Sequence, residues 1–221
     1  MTTATSLETS MAPHWKEVIP VAGIIPLTTI DYPNRLALVI FTQGCPWRCG
    51  YCHNAALRPM DRPTSWQWRQ VCGLLEERRG FLEAVVFSGG EPTLHPGLGT
   101  AMSTARGKGY LIGLHTAGMF PERLAQVLPW LHWVGLDIKA PLDQRYAQIT
   151  GDPQSAAIVL DTLNLLRTSG ISFQLRTTVG PGALSGPDFE DLCHQLRALR
   201  APAPLRQEVH PVHATIPLSN P

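Results

Sequence analysis

From Leu36 onward, short apolar runs rich in β-branched residues alternate with stretches of helical period, and the alternation repeats along nearly the whole chain. Such alternation is the mark of repeated βα units. The candidate strands are Leu36–Thr42, Ala84–Ser88, Tyr110–Thr116, Trp133–Ile138, Phe173–Val179 and Leu205–Val209. Most are continuous apolar runs, as parallel strands covered on both faces require. Between them, Trp68, Val71, Cys72 and Leu75 fall at i, i+3, i+4 and i+7, and so do Leu98, Ala101, Met102 and Ala105. Leu124, Val127, Leu128 and Leu131 form a third helical stripe, and Phe189, Leu192, Cys193 and Leu196 form another, with Ser185 and Pro187 as its start signals. A further helix is expected around Val159, Leu163 and Leu166. Parallel strands joined by right-handed crossovers build either an open doubly wound sheet or a curved barrel. Six units are too few for a closed eight-stranded barrel, so the expected α/β fold is a partial (β/α)6 TIM-like barrel with parallel strands.

The 221 residues, 44% of them hydrophobic, suffice for one core without disulfide staples. Eighteen basic and 17 acidic side chains leave a formal charge of +1, which offers no field for a nucleic-acid backbone or an acidic membrane surface. No apolar run approaches the roughly 20 residues that span a bilayer, and the first residues lack the order of a secretory signal. A soluble, cytoplasmic protein is expected, with no nucleic-acid or membrane partner. Residues 1–20 read as a flexible extension, 21–215 as the core domain and 216–221 as a tail.

In both candidate architectures ligands gather where strands end and loops begin. The first predicted strand runs into Cys45-Pro-Trp-Arg-Cys49-Gly-Tyr-Cys52-His53-Asn54. Three thiolates at this C-x3-C-x2-C spacing can converge on one inorganic centre, whereas a structural zinc site needs a fourth protein ligand. His53 adjoins Cys52 and is poorly placed to share its metal, while Cys72 and Cys193 sit on helical stripes and read as buried core residues. A 4Fe-4S cluster on three cysteines would leave one iron open; a zinc knuckle or coincidental clustering is the alternative.

The other strand ends are also unusual. Ser88-Gly89-Gly90-Glu91-Pro92 follows the second strand, where two glycines let a ligand approach the backbone and leave carbonyls and a carboxylate to accept from an ammonium; a plain turn reads equally well. Asp137 and Lys139 alternate with Leu136 and Ile138, so the two charges share one side of their strand, as a ligand site or a buried salt bridge. Arg176 stands on the fifth strand, fit to pair with a carboxylate on a cofactor or on the rim.

Together these residues resemble the radical S-adenosylmethionine enzymes, whose C-x3-C-x-aromatic-C motif is matched by Cys45, Cys49, Tyr51 and Cys52. The resemblance implies that Cys45, Cys49 and Cys52 hold a 4Fe-4S cluster whose open iron chelates the methionine end of S-adenosylmethionine. An electron from the cluster would then cleave the sulfonium and leave a 5′-deoxyadenosyl radical. It further implies cofactor contacts from Tyr51, Cys52, His53, Gly89, Gly90, Glu91, His115, Thr116, Asp137, Ile138, Lys139 and Arg176, with His213 matched to a histidine-bearing L-P-x-H segment. Activases of glycyl-radical enzymes read D-T-N-G where this chain has His115-Thr116-Ala117-Gly118. The phrases Gly23-Ile24-Ile25-Pro26, Thr29-Ile30-Asp31-Tyr32-Pro33, Asp137-Ile138-Lys139-Ala140-Pro141 and Arg176-Thr177-Thr178-Val179 are similar to those of anaerobic ribonucleoside-triphosphate reductase activating proteins. That likeness implies a glycyl-radical protein substrate, the large subunit of an anaerobic ribonucleotide reductase, and a low-potential electron donor such as flavodoxin or ferredoxin. A radical enzyme acting on a small molecule, resembling 7-carboxy-7-deazaguanine synthase, shares the same core and stays open, as does a non-enzymatic zinc or redox module.

Overall fold

A computed structural model describes residues 18–209. Its strands are β1 (Val21–Thr28), β2 (Ala37–Thr42), β3 (Ala84–Gly89), β4 (Leu111–Thr116), β5 (Trp133–Asp137), β6 (Ser172–Val179) and β7 (Leu205–Glu208). Its helices are α1 (Trp68–Glu77), α2 (Leu98–Gly107), α3 (Pro121–Val127), α4 (Gln144–Thr150), α5 (Ser155–Ser169) and α6 (Gly186–Ala198). The strands form one sheet in chain order, β1 to β7. β1 runs antiparallel to β2, and every later pair is parallel. The six parallel strands are the expected units, and the sheet is an open, partial barrel.

Side-chain alternation divides the sheet's two faces. Leu38, Ile40, Val85, Phe87, Ile112, Leu114, Val134, Leu136 and Leu175 are fully buried in one cluster with helix residues Val71, Leu75, Met102, Leu163 and Leu192. The opposite face carries a smaller cluster of Ala37, Val39, Phe41, Val86, Trp133 and Tyr32. Each fully buried leucine or phenylalanine contributes about 1.5–3 kcal/mol, so the helix-covered layer dominates stability and frees the inner face for polar groups near the strand ends.

Three local features depart from the sequence reading. β1 is an extra antiparallel edge strand that Pro26 obscures: the proline falls inside the register shift between Ile25 and Thr28, where no ladder N–H is needed. The stripe ending in Leu131 is cut at Val127, because Pro129 turns Leu128–Trp130 into a 3-10 turn. The seven-residue α4 is too short to show a stripe. It is set by its caps, the Asp143 carboxylate accepting from the Arg145 N–H at 2.9 Å and Gly151 closing it at φ 78°. The signal at Ser185 is realised: its hydroxyl accepts from the Asp188 N–H at the start of α6. Most of the extension at 1–20, the tail and His213 lie outside the described residues.

Candidate active site

The cysteine run belongs to the loop between β2 and α1. Its ends are drawn together by Gly44 N–H donating to Leu57 O at 2.7 Å and Cys45 N–H donating to Arg58 O at 3.0 Å. Its tip is tied to α4 and the turn that follows it: the Arg48 N–H donates to Thr150 O at 2.9 Å, the Trp47 indole N–H to Asp152 beyond the helix end at 3.1 Å, and the Trp47 ring meets Tyr146 edge-on. Cys45, Cys49 and Cys52 are free thiols that border one cavity of about 280 Å³. Burial, reinforced by the charge of Glu91, pushes the Cys45 thiol up to about 12, and burial raises Cys49 as well, against the pull of Lys139. Thiols of this kind keep their protons until a metal displaces them.

Among the described residues no three His, Cys, Asp or Glu side chains already stand together as a metal-binding set. The thiols share a cavity without yet converging on one point. Neither Cys72 nor Cys193 borders that cavity; both are half-buried on α1 and α6 rather than fully buried as expected. Three soft sulfur donors on one loop, with no fourth cysteine at the cavity, fit a cluster that keeps an open metal position better than they fit a closed zinc site. The Tyr51 hydroxyl, also at this cavity, is buried without a hydrogen-bond partner among the described residues, an acceptor and donor a bound group can satisfy.

At the end of β3 the backbone itself is the wall. A Cβ on Gly89 (φ +116°) would lie 2.3 Å from Thr42 N, and one on Gly90 would lie 2.1 Å from Gly44 O. Only glycine lets this turn press against the root of the cysteine loop, where Gly90 N–H donates to Thr42 O and Glu91 N–H to Gly44 O. Both glycines border the cavity, but Glu91 does not. Its fully buried carboxylate accepts from the Thr93 N–H (3.0 Å), the hydroxyls of Thr93 (2.5 Å) and Thr116 (2.7 Å), and the Ala117 N–H (2.9 Å). The expectation that Glu91 faces a bound ammonium is therefore corrected. Its place two residues before Thr93 makes it the cap of the turn at Pro92–Leu94, and it locks the β3 and β4 ends together.

The charged centre lies on β4, β5 and β6. Arg176 donates to Asp137 Oδ1 from Nε (3.0 Å) and Nη2 (2.8 Å), and Lys139 Nζ lies 3.2 Å from Asp137 Oδ2. Burial alone would raise Asp137, but the Arg176 and Lys139 charges outweigh it and hold the carboxyl well below its usual range. Burial alone would lower Lys139, but Asp137 and the groups around Tyr51 and Cys49 keep its ammonium charged. Arg176 Nη1 also lies 3.0 Å from His115 Nδ1, while His115 Nε2 lies 2.8 Å from the Asp31 carbonyl. This geometry fixes one tautomer: Nδ1 accepts from the guanidinium and Nε2–H donates to the carbonyl. Burial, then the Arg176 charge, push His115 down to about 3, so the ring is neutral. Gly135 makes room for this stack, because a Cβ there would meet Trp133 at 2.9 Å and Arg176 and His115 at 3.2 Å.

Of the residues expected at the site, Cys45, Cys49, Tyr51, Cys52, His53, Gly89, Gly90, His115, Thr116, Asp137, Lys139 and Arg176 border the one cavity. Ile138 does not: its side chain is fully buried in the helix-facing cluster, as the alternation with Asp137 and Lys139 demands. Asp31, Thr178 and Gln207 also border the cavity and were missed. Thr178 lies two residues from Arg176 and was legible from the same alternation; Asp31 acts through a backbone carbonyl, which no side-chain pattern reveals.

A partial barrel that gathers thiols, glycine backbone and a charge cluster at the carboxyl ends of its strands defines a cofactor-dependent α/β enzyme. Residues 39–196 match the Radical SAM superfamily, and the chain belongs to it. Members of this superfamily use a 4Fe-4S cluster and S-adenosylmethionine. The chain is 28% identical over 196 residues, 80% of its length and 75% of the other, to a Methanocaldococcus jannaschii protein named as a candidate glycyl-radical enzyme activating enzyme. It is 28% identical over 157 residues to the pyruvate formate-lyase-activating enzyme of Clostridium pasteurianum, covering 69% of this chain and 65% of that one. A structure of TYW1 with a lysine-pyruvate adduct shares the fold, with TM-score 0.62 at 14% identity over 81% of this chain and 67% of that chain. No helix among the described residues is long and apolar enough to cross a membrane.

Proposed function

We propose that this chain is a glycyl-radical enzyme activating enzyme whose protein substrate is the large subunit of an anaerobic ribonucleotide reductase. The observation that carries the reading is one cavity bordered by Cys45, Cys49 and Cys52 on one side and by Asp137, Lys139 and Arg176 on the other, with no fourth cysteine. The names of the relatives support activation of a glycyl-radical enzyme, and the phrases around Asp31, Asp137 and Arg176 support the reductase as its target.

When bound, the cluster supplies the low-potential electron that splits S-adenosylmethionine into methionine and a 5′-deoxyadenosyl radical able to take a hydrogen from a glycine. Cys45, Cys49 and Cys52 would hold the cluster. The carbonyls of Gly89 and Gly90 would accept from the methionine ammonium, a task Glu91 does not share because its fully buried carboxylate does not border the cavity. Lys139, spending one donor on Asp137, has others to offer a carboxylate. Asp137 keeps both cations charged and aimed, and neutral His115 holds the Arg176 guanidinium in register with β4. Phe41 and Trp47 line the same cavity with apolar surface, which limits water around a reactive radical.

The test is anaerobic incubation of the reconstituted, reduced protein with S-adenosylmethionine and candidate reductase large subunits, read by electron paramagnetic resonance. A glycyl doublet on the reductase, absent with the Cys49→Ala variant, is the expected result. Cofactor cleavage without a doublet on any glycyl-radical partner would overturn the assignment in favour of a small-molecule substrate.

A further inference from the structure

The cysteine loop has a second side. A surface groove of about 420 Å³ is lined by Cys45, Pro46, Arg48, Arg58, Pro59 and Met60, with Trp47 and Ala55 completing it. Cys45 and Trp47 border both this groove and the inner cavity, so the same two residues face both sides of the loop. No carboxylate lines the groove. Residues Gln43 to Arg62 hold three arginines against one aspartate. Arg58 Nη1 reaches the Cys49 carbonyl at 3.5 Å and Arg62 Nη1 the Ala56 carbonyl at 3.3 Å, while the Arg48 side chain is exposed. Among the described residues, no carboxylate pairs with any of the three. Met60, which stands between Arg58 and Arg62 in the sequence, is 65% exposed. A groove that carries arginines, exposed prolines and an exposed methionine, and no carboxylate, is the complement of an acidic protein surface.

We propose that this outer face of the cysteine loop is the docking surface for an acidic one-electron carrier protein. The inference rests on the reading above that Cys45 ligates the cluster. A donor cannot approach through the inner cavity, which the cofactor and the glycyl segment must fill. The groove is the place where solvent reaches the other side of a ligand cysteine, so a carrier seated there delivers its electron through the Cys45 side of the loop. The step balances as a single electron: the carrier loses one, the cluster gains one, and no bond is made or broken. Arg48, Arg58 and Arg62 steer the encounter, and Met60 with Pro46 and Pro59 supplies the dry contact.

The test is stopped-flow reduction of the anaerobically reconstituted protein, comparing reduced flavodoxin, an acidic one-electron carrier, with dithionite, a small ion that needs no docking surface. Arg48→Glu and Met60→Glu should each slow reduction by flavodoxin at low ionic strength, Arg48→Glu by about tenfold or more, while reduction by dithionite keeps its wild-type rate. The wild-type flavodoxin rate should fall as salt rises. Unchanged flavodoxin rates in both variants would overturn the inference, and so would an equal slowing with dithionite, which would assign the residues to the cluster's own surroundings. Failure of the underlying reading is seen earlier and separately: Cys45→Ala would then load a 4Fe-4S chromophore as fully as the wild type.

Discussion

Arg176 joins three strands, and its removal has a cost that changes with pH in a calculable direction. In Arg176→Met, Asp137 loses two charge-assisted hydrogen bonds and His115 Nδ1 loses its donor. The side chains are 12% and 29% exposed. Severing a fully buried pair costs about 3–5 kcal/mol, but here the cavity admits water and Lys139 stays beside Asp137. About 2–3 kcal/mol near pH 7 is the expected loss. The folded-state value of His115, about 3, lies far below the roughly 6.5 of an unfolded histidine. As pH falls below about 6.5, the unfolded wild-type chain takes up a proton that folded His115 refuses, and stability drops by up to about 1.4 kcal/mol per unit until the folded value is reached. Without the Arg176 charge, His115 accepts that proton more readily beside Asp137, so the variant falls less steeply. The difference between the two proteins should therefore be largest above pH 7 and shrink toward pH 5. Urea unfolding followed by tryptophan fluorescence from pH 5 to 8 measures it, with His95 and His132 common to both proteins. A loss under about 1 kcal/mol, or a difference that does not narrow in acid, would refute the assigned coupling.

Glu91→Ala should destabilise by about 3 kcal/mol or more, because it strands buried donors on Thr93, Thr116 and Ala117; thermal unfolding checks this, and a near-neutral change would refute the cross-tie. Gly90→Ala should lower iron per chain, since its Cβ would strike the Gly44 carbonyl at the root of the cysteine loop, whereas Gly50→Ala, with nothing within 4 Å, should load normally. Cys72→Ser and Cys193→Ser should retain the full iron content and visible spectrum of the wild type, while Cys52→Ala loses both, as measured by metal analysis and absorbance.

Most of the parallel strands were legible as continuous apolar runs bounded by turns, β6 and the exposed β7 being the more polar exceptions, and the cysteine, Gly-Gly and Asp-x-Lys groups could be placed at one end of the sheet from that pattern alone. What escaped was set by contacts rather than periodicity. β1 hides behind Pro26 until β2 supplies its ladder, and α4 exists through Asp143 and Gly151 and through the loop tip it receives. Glu91 illustrates a harder limit. A carboxylate after two glycines suggests a ligand, yet whether its oxygens are free depends on Thr116 and Ala117, some 25 residues further on. Ile138 was the reverse case, since the alternation that put Asp137 and Lys139 on the inner face already sent Ile138 outward.

On the proposed function, the thiols of Cys45, Cys49 and Cys52 hold a cluster with one metal position left for S-adenosylmethionine. The most direct test of that reading is the electron paramagnetic resonance spectrum of the reconstituted, dithionite-reduced protein before and after S-adenosylmethionine is added. A reduced 4Fe-4S signal whose g-values shift on addition is the expected result, with both signal and shift lost in Cys45→Ala, Cys49→Ala or Cys52→Ala. A cluster signal indifferent to S-adenosylmethionine, or one that survives loss of any of these cysteines, would contradict it.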